Sequence, residues 1–395
     1  MSFNIALSGI NAINTELNTI SNNIANSGTY GFKSSRANFA SMYAGTQPTG
    51  TEVSSLTQSI EIGGGVLTTG RGMDASIQGR GFFVTRDTTG AEVYTRVGIF
   101  STDANGYVVD SFGRRVQGYA AVPGATTLGA MGDLQVATGQ IPAQASTTLN
   151  YVGNLSADWT APTVTPFDRT DPLSFNGSLV SVVYDSLGVQ HSVTQYFVKS
   201  GVNQATVHYT FDGVDQPATT VLDFDTSGQL VAPAGAVPIA FGTPPGAAPL
   251  TVAISYAGTT QTAGEATTST NAANGYASGT FLGVQLSSDG SVLAQYSNGQ
   301  KQSIGTIALA TFPAEGQLVP ISDTAWTTST ESGAALYSAP GSGMAGRLTP
   351  GALEQSNVDM TAQLVNLMSA QRNYQANTKV ISAENEMMQT LMQAV

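Results

Sequence analysis

The sequence predicts a multidomain α+β protein in which helices from the two ends of the chain pair into a coiled-coil-like domain. Two mainly β domains lie between them, one inserted into the other. Three observations predict this. Apolar residues recur at heptad spacing at both ends. A length of 395 residues exceeds a single core. The Gly- and Thr-rich middle alternates short apolar runs with hairpin turns.

Residues 1–26 are read as the first helix. Phe3, Ala6, Ile10, Ile13, Leu17, Ile20 and Ile24 alternate spacings of three and four, which puts them on one seam. Residues 1–32 nevertheless hold one charged side chain, Glu16, and seven asparagines. Each Asn costs roughly 0.6 kcal/mol of helix propensity relative to Ala, so the segment is a poor autonomous helix. The expectation is that both termini order when many copies pack side by side.

Residues 27–70 show no clear periodicity and are read as an extended linker ending in GGGVLTTGRG. From 71 to 145 a β body begins, with runs at Gly81–Thr85 and Tyr107–Asp110 and turn signals at Asn105-Gly106 and Phe112-Gly113. It resumes over 274–350, with hairpin signals at Asp289-Gly290 and Asn298-Gly299. Between the halves, 146–273 is read as an inserted β barrel or sandwich, with strands at Leu179–Tyr184, Ser192–Val198 and Ala205–Phe211.

Residues 351–395 are assigned to the second terminal helix. Ser356 and Asp359 have capping-box spacing, and no Gly or Pro follows Ala352, which predicts a rod on the order of 60 Å at 1.5 Å per residue. Its seam runs Met360, Leu364, Leu367, Gln371, Tyr374, Thr378, Ile381, Asn385, Met388, Met392 and Val395. Val380, Met387 and Leu391 add a second apolar strip, so this helix expects neighbours on several faces. Phe3, Ile10, Ile13, Leu17, Ile20 and Ile24, with Leu364, Leu367, Tyr374, Ile381, Met388 and Met392, are the expected polymerisation core.

Composition excludes several functions. The net charge of -12 comes with only 14 Lys and Arg, which are scattered, so a nucleic-acid partner is disfavoured. There is no cysteine for thiolate chemistry or Cys-based zinc sites. No run of about 18 apolar residues spans a membrane, and residues 1–32 lack the basic start of a cleaved signal peptide.

No catalytic, cofactor or metal site is legible, and an enzyme is not expected. His191 and His208 sit in alternating strand patterns and are read as solvent-facing or hydrogen-bonded strand residues. DFDTSG, 223–228, starts like a calcium loop but has Ala234 where the twelfth-position Glu should stand, so it is read as a turn. GSGMAG, 341–346, has the letters of a dinucleotide loop but is followed by Pro350, and is read as a flexible connection.

SGINAINTELNTISNNIANSGTYGFK together with LEQSNVDMTAQLVNLMSAQRNYQANTKVISAENEMMQTL resembles the paired termini of the bacterial flagellar rod, hook and hook-associated axial proteins. The family motif falls on Ser21, Asn22, Asn23, Asn26, Gly31 and Phe32, and on Asn357, Asp359, Gln371, Arg372, Tyr374 and Asn377. GRGFFVTRDTTGAEVYTRVGIFSTDANGYVVDSFGRRVQGY, 79–119, is similar to the β body that follows in that family. The resemblance covers the first 120 residues and about the last hundred. Because about 130 residues separate the two body halves, the pattern is most similar to the hook members.

The resemblance implies an inner helical domain around an export channel and outer β domains, in a flexible curved tube acting as a universal joint. Implied partners are further copies of the chain, the rod, the hook cap, the hook–filament junction proteins and the flagellar type III export apparatus. The implied location is the extracellular hook, reached without a cleaved signal peptide. Rod or junction subunits are the alternative within the family. A secreted β-rich carbohydrate-binding protein or hydrolase is the alternative outside it.

Overall fold

The computed structural model describes residues 2–122 and 127–393. The chain forms two compact units, one of Met1–Thr138, Gly283–Gln295 and Lys301–Val395, the other of Gly139–Leu282 and Tyr296–Gln300.

In the first unit, helix α1 spans Ser2–Ala25. Within the segment expected as an extended linker the chain instead forms a long antiparallel hairpin, β1 (Ser35–Ala44) and β2 (Gln47–Gln58), turning at Gly45-Thr46. Its strands hid from the sequence for a physical reason: both faces are largely exposed, so no alternation of apolar and polar residues marks them. Cross-strand bonds from Asn38 Nδ2 to Ser55 Oγ (3.0 Å) and Thr57 Oγ1 (3.1 Å) tie the ladder. The hairpin lies on α1, and a Cβ at Gly50 would come within 2.0 Å of Ser8 Oγ, so only glycine permits that approach.

The β body is one thirteen-stranded sheet system to which both chain halves contribute. Strand Phe82–Arg86 pairs with Glu92–Thr95, with Arg115–Ala121 and, from the distant half, with Leu309–Thr311. Lys301–Ile307 pairs with Arg115–Ala121, and Ala325–Thr327 with Glu92–Thr95. Phe82, Tyr94, Phe312 and Trp326 fill one core, with ring centroids 4.8–6.0 Å apart at steep angles.

The second terminal helix starts later than expected: α2 spans Met360–Gln393. Before it, Arg347–Pro350 pairs with β4 (Ala75–Gln78), and Ala352–Glu354 pairs with β3 (Val66–Thr68). Leu348 and Leu353 bury themselves in these short ladders, which holds the chain extended until Asp359. Asp359 is itself the N-cap, accepting from Thr361 N (2.9 Å) and Ala362 N (3.1 Å), so the capping-box assignment to Ser356 was one turn early. The loop 341–346 is a closed turn rather than a free connection, with Gly341 N donating to Gly346 O and Gly346 N to Arg80 O.

The second unit is a β-sandwich. One five-stranded sheet holds Val237–Ala240, Thr251–Ser255, Thr148–Ser156, Thr260–Thr262 and Thr267–Ala273. The other runs Gly177–Tyr184, Gln190–Gly201, Gln204–Phe211, Val214–Phe224 and Leu230–Ala232. Leu149, Tyr151 and Ile254 from the first meet Val183, Val193, Tyr209 and Leu222 from the second in one core. Asn274 Oδ1 accepts from Thr147 N (2.8 Å) and Thr148 N (2.9 Å), clasping the two ends of the insertion. The compact unit runs wider than the 146–273 read from sequence. Asp225 accepts from Ser227 N and Gln229 N, as a turn requires.

His191 is buried between two carboxylates, with Nδ1 2.6 Å from Asp212 Oδ2 and Nε2 3.3 Å from Asp185 Oδ2. Its ring stacks on Phe211. Burial pushes its pKa down, but hydrogen bonds and charge from Asp212 and Asp185 outweigh this and raise it. A raised folded pKa stabilises the sandwich fully below the unfolded value of about 6.5, and that contribution is lost as pH climbs through the folded pKa. His191→Gln is therefore expected to flatten the decline in sandwich stability as pH rises above about 6.5. Denaturant melts across that range check it; an unchanged profile would assign the decline to other groups.

Candidate assembly interface

Helices α1 and α2 run antiparallel. Asn23 Nδ2 reaches Gln363 Oε1 at 3.3 Å near one end, and Gly9 lies against Asn377 toward the other. Ile13, Ile20 and Ala370 form the buried centre, flanked by half-buried Leu17, Ile24, Leu367 and Tyr374. Ile10 and Ile381 are also half-buried.

The expected seam is thus sealed only in its middle. Phe3 stays 40% exposed, Leu364 48%, Met388 64% and Met392 76%. Val395 lies outside the described residues. For Met388 and Met392 the reason is length: 24 residues of α1 reach about 36 Å and 34 residues of α2 about 51 Å, so the last turns of α2 overhang their partner.

At the other end of the helix pair the motif residues build a neck. Asn23 is buried and uses both ends of its amide: Nδ2 donates to Ser35 O and Oδ1 accepts from Ser35 N, both at 2.8 Å. Asn26 Oδ1 accepts from Thr29 Oγ1. Gly31 has φ +69° and donates to Glu354 O, and a Cβ there would meet the Arg96–Val97 backbone at 3.1 Å. Asn357 joins the segments, accepting from Ser34 N (2.7 Å) and donating to Ser59 O and Ile62 O. Phe32 O accepts from Asn357 N.

Glu354 and Arg96 complete this neck and escaped the sequence reading. Lys33 Nζ lies 2.5 Å from Glu354 Oε1 and donates to Ile62 O at 2.8 Å, while Arg96 Nη1 lies 3.3 Å from Glu354 Oε2. All three side chains are buried. Lys33 carried the only signal: a lone cation closing the N-terminal motif, with no acid nearby in sequence, needs a distant partner. Burial, opposed by Glu354, holds its ammonium below the usual lysine value. Taking these charges out of water therefore costs much of what their attraction returns.

Other motif residues point away from the neck. Ser21, Asn22, Gln371 and Arg372 are exposed, whereas Tyr374 and Asn377 pack against α1. Exposed apolar side chains continue on the hairpin, at Phe39, Met42, Tyr43 and Leu56, and along α2 at Val365, Met368 and Val380. An open cleft of about 600 Å³ lies between α1, the hairpin and α2, with Ile5, Glu16, Phe39, Pro48 and Asn377 in its wall. Among the described residues no group of His, Asp and Glu has the geometry to hold a metal ion.

Comparison with known proteins gives the same segments a family. Residues 3–33 match "Flagella basal body rod protein", 76–150 "Flagellar hook protein FlgE/F/G D1 domain", 154–276 "Flagellar basal body protein FlaE D2 domain", and 349–394 "Flagellar basal body rod FlgEFG protein C-terminal". The flagellar hook protein FlgE of Escherichia coli is 39% identical over 99% of both chains. The chain belongs to the flagellar hook protein family. FlgE of Salmonella typhimurium is likewise 39% identical over 99% of both chains, and that of Brucella suis 33% over 98% of this chain and 96% of its own. The fold is similar to the crystal structure of the Helicobacter pylori flagellar hook protein FlgE2, at a TM-score of 0.52 and 13% identity over 71% of this chain and 98% of that one. The family is a structural one, and the chain is a structural subunit of the hook.

Removing the Glu354 charge by Glu354→Gln leaves Lys33 and Arg96 buried without their anion, and is expected to lower the unfolding free energy of the first unit by about 3–5 kcal/mol. Replacing the whole triad by Lys33→Met, Arg96→Met and Glu354→Leu is expected to recover most of that loss. Urea denaturation of the three proteins checks both.

Proposed function

We propose that the chain polymerises through α1, α2 and the β1–β2 hairpin into a flexible, curved tube that carries torque between rod and filament and surrounds the export channel. The supporting observation is the half-sealed helix pair. Its centre is buried within one chain, yet Phe3, Leu364, Val365, Met368, Met387, Met388, Leu391 and Met392 remain open to water. An apolar surface spread along both faces of a helix pair is matched by neighbours on several sides.

In this reading the seam residues of both helices, Phe3 to Ile24 and Leu364 to Met392, form the polymerisation core, while the β body and sandwich make the outer layers. The rod, hook cap, hook–filament junction proteins and type III export apparatus are its partners. The assembled tube lies outside the cell. Asn-rich α1, weak as a lone helix, suits transit as an unfolded terminus that orders on arrival.

Electron microscopy of the purified full-length chain in a salting-out salt, which favours burial, is expected to show tubes or curved rods. A chain carrying Met368→Asp and Met388→Asp, positions exposed in the single subunit, is expected to stay dispersed with an unchanged far-ultraviolet circular dichroism spectrum. Hydrogen exchange is expected to find residues 3–25 weakly protected in the monomer and strongly protected in the tube. Strong protection in the monomer would rule out coupled folding and assembly.

A further inference from the structure

Glu16 is the only charged side chain in residues 1–32. It sits half-buried in the wall of the 600 Å³ cleft between α1, the hairpin and α2, and also lines a smaller cleft of about 210 Å³ with Arg36, Gln363 and Asn366. Burial lifts its carboxyl above the usual range. No ion pair reaches it among the described residues, and the adjacent Arg36 donates its Nε to Asn38 Oδ1 instead.

The complementary group stands on the flank of α2 turned away from α1. Ala370, 1% exposed, marks the flank of α2 that faces α1. Arg372, two residues on and so about 200° around the helix, points outward and is exposed. It too has no ion pair among the described residues, and only Lys379 shares its sign within α2. One and two turns before it, Met368 and Val365 are half exposed on the same stripe. That stripe, apolar and then cationic, matches a cleft walled by Ile5, Phe39 and Pro48 with a carboxylate at Glu16. Within one subunit the two charges are not paired with each other.

We propose that the outer stripe of α2 from a second copy of this chain seats in the cleft, and that its Arg372 pairs with Glu16. The pair deepens the assembly reading and rests on it. A guanidinium fits a carboxylate bidentately, and the apolar stripe beside it excludes water. The pair would set the register between neighbours, because an unmatched carboxylate in a closed cleft is penalised at every other offset.

The test uses the full chain, which has no cysteine of its own. Glu16→Cys chains carrying a tag are mixed with untagged Arg372→Cys chains, assembled, and treated with a short bismaleimide. Mixed tagged–untagged dimers are expected from tubes and not from dilute subunits. Tubes in which position 16 couples instead to Lys379→Cys or Arg36→Cys, or to none of these, would overturn the pair while leaving the assembly reading in place. Separately, Glu16→Lys or Arg372→Glu is expected to raise the critical concentration for assembly by about tenfold or more, and the double reversal to bring it back to within about threefold. Single reversals that leave it unchanged would also overturn the pair. Failure of the unaltered chain to form tubes would remove the assembly reading itself.

Discussion

Glu354 is the point at which the two ends of the chain are tied. Its carboxylate lies between Lys33, 321 residues earlier, and Arg96 of the β body, and takes a further bond from the Gly64 amide at 3.0 Å. Everything on the helical side of the neck depends on this contact being made once and in one register. A buried ion triad adds little net stability, because desolvation offsets attraction, but any misplaced arrangement strands a charge away from water. The neck therefore selects a geometry more than it deepens a well.

From that tie the division of the molecule follows. Body and sandwich close their own cores around aromatic clusters and need nothing from outside. The helix pair cannot do so. It seals Ile13, Ile20 and Ala370, then runs out of partner and leaves the end of α2 bare. A subunit built this way is complete where it must be a rigid block and incomplete where it must join copies of itself. The hairpin belongs to the incomplete part, since its two strands pair only with each other and expose Phe39, Tyr43 and Leu56.

The two histidines illustrate how polar groups settle within the sandwich. His191 is held on both ring nitrogens by Asp212 and Asp185, and His208 stacks on Phe167 with ring centroids 4.3 Å apart. Both carboxylates also accept backbone amides while they fix the imidazole: Asp185 closes a turn through Leu187 and Val189, and Asp212 reaches Ser192 on the neighbouring strand. The arrangement satisfies buried polar atoms and organises the strand ends of the sandwich.

The sequence by itself determined the two terminal helices, their seams, the split body and the inserted β domain. Each rests on a local signal: a three-four spacing, a paired turn, an alternating run. Tertiary structure alone decided the rest. The hairpin over 35–58 was invisible because a strand exposed on both faces carries no period. The late start of α2 depended on ladders formed with β3 and β4, some 280 residues away. Which seam residues are buried in one chain was set by the unequal lengths and antiparallel register of the helices. The Glu354 tie lay beyond the sequence for the same reason, since charge complementarity at 321 residues' separation leaves no local pattern, and only the folded chain brings the charges together.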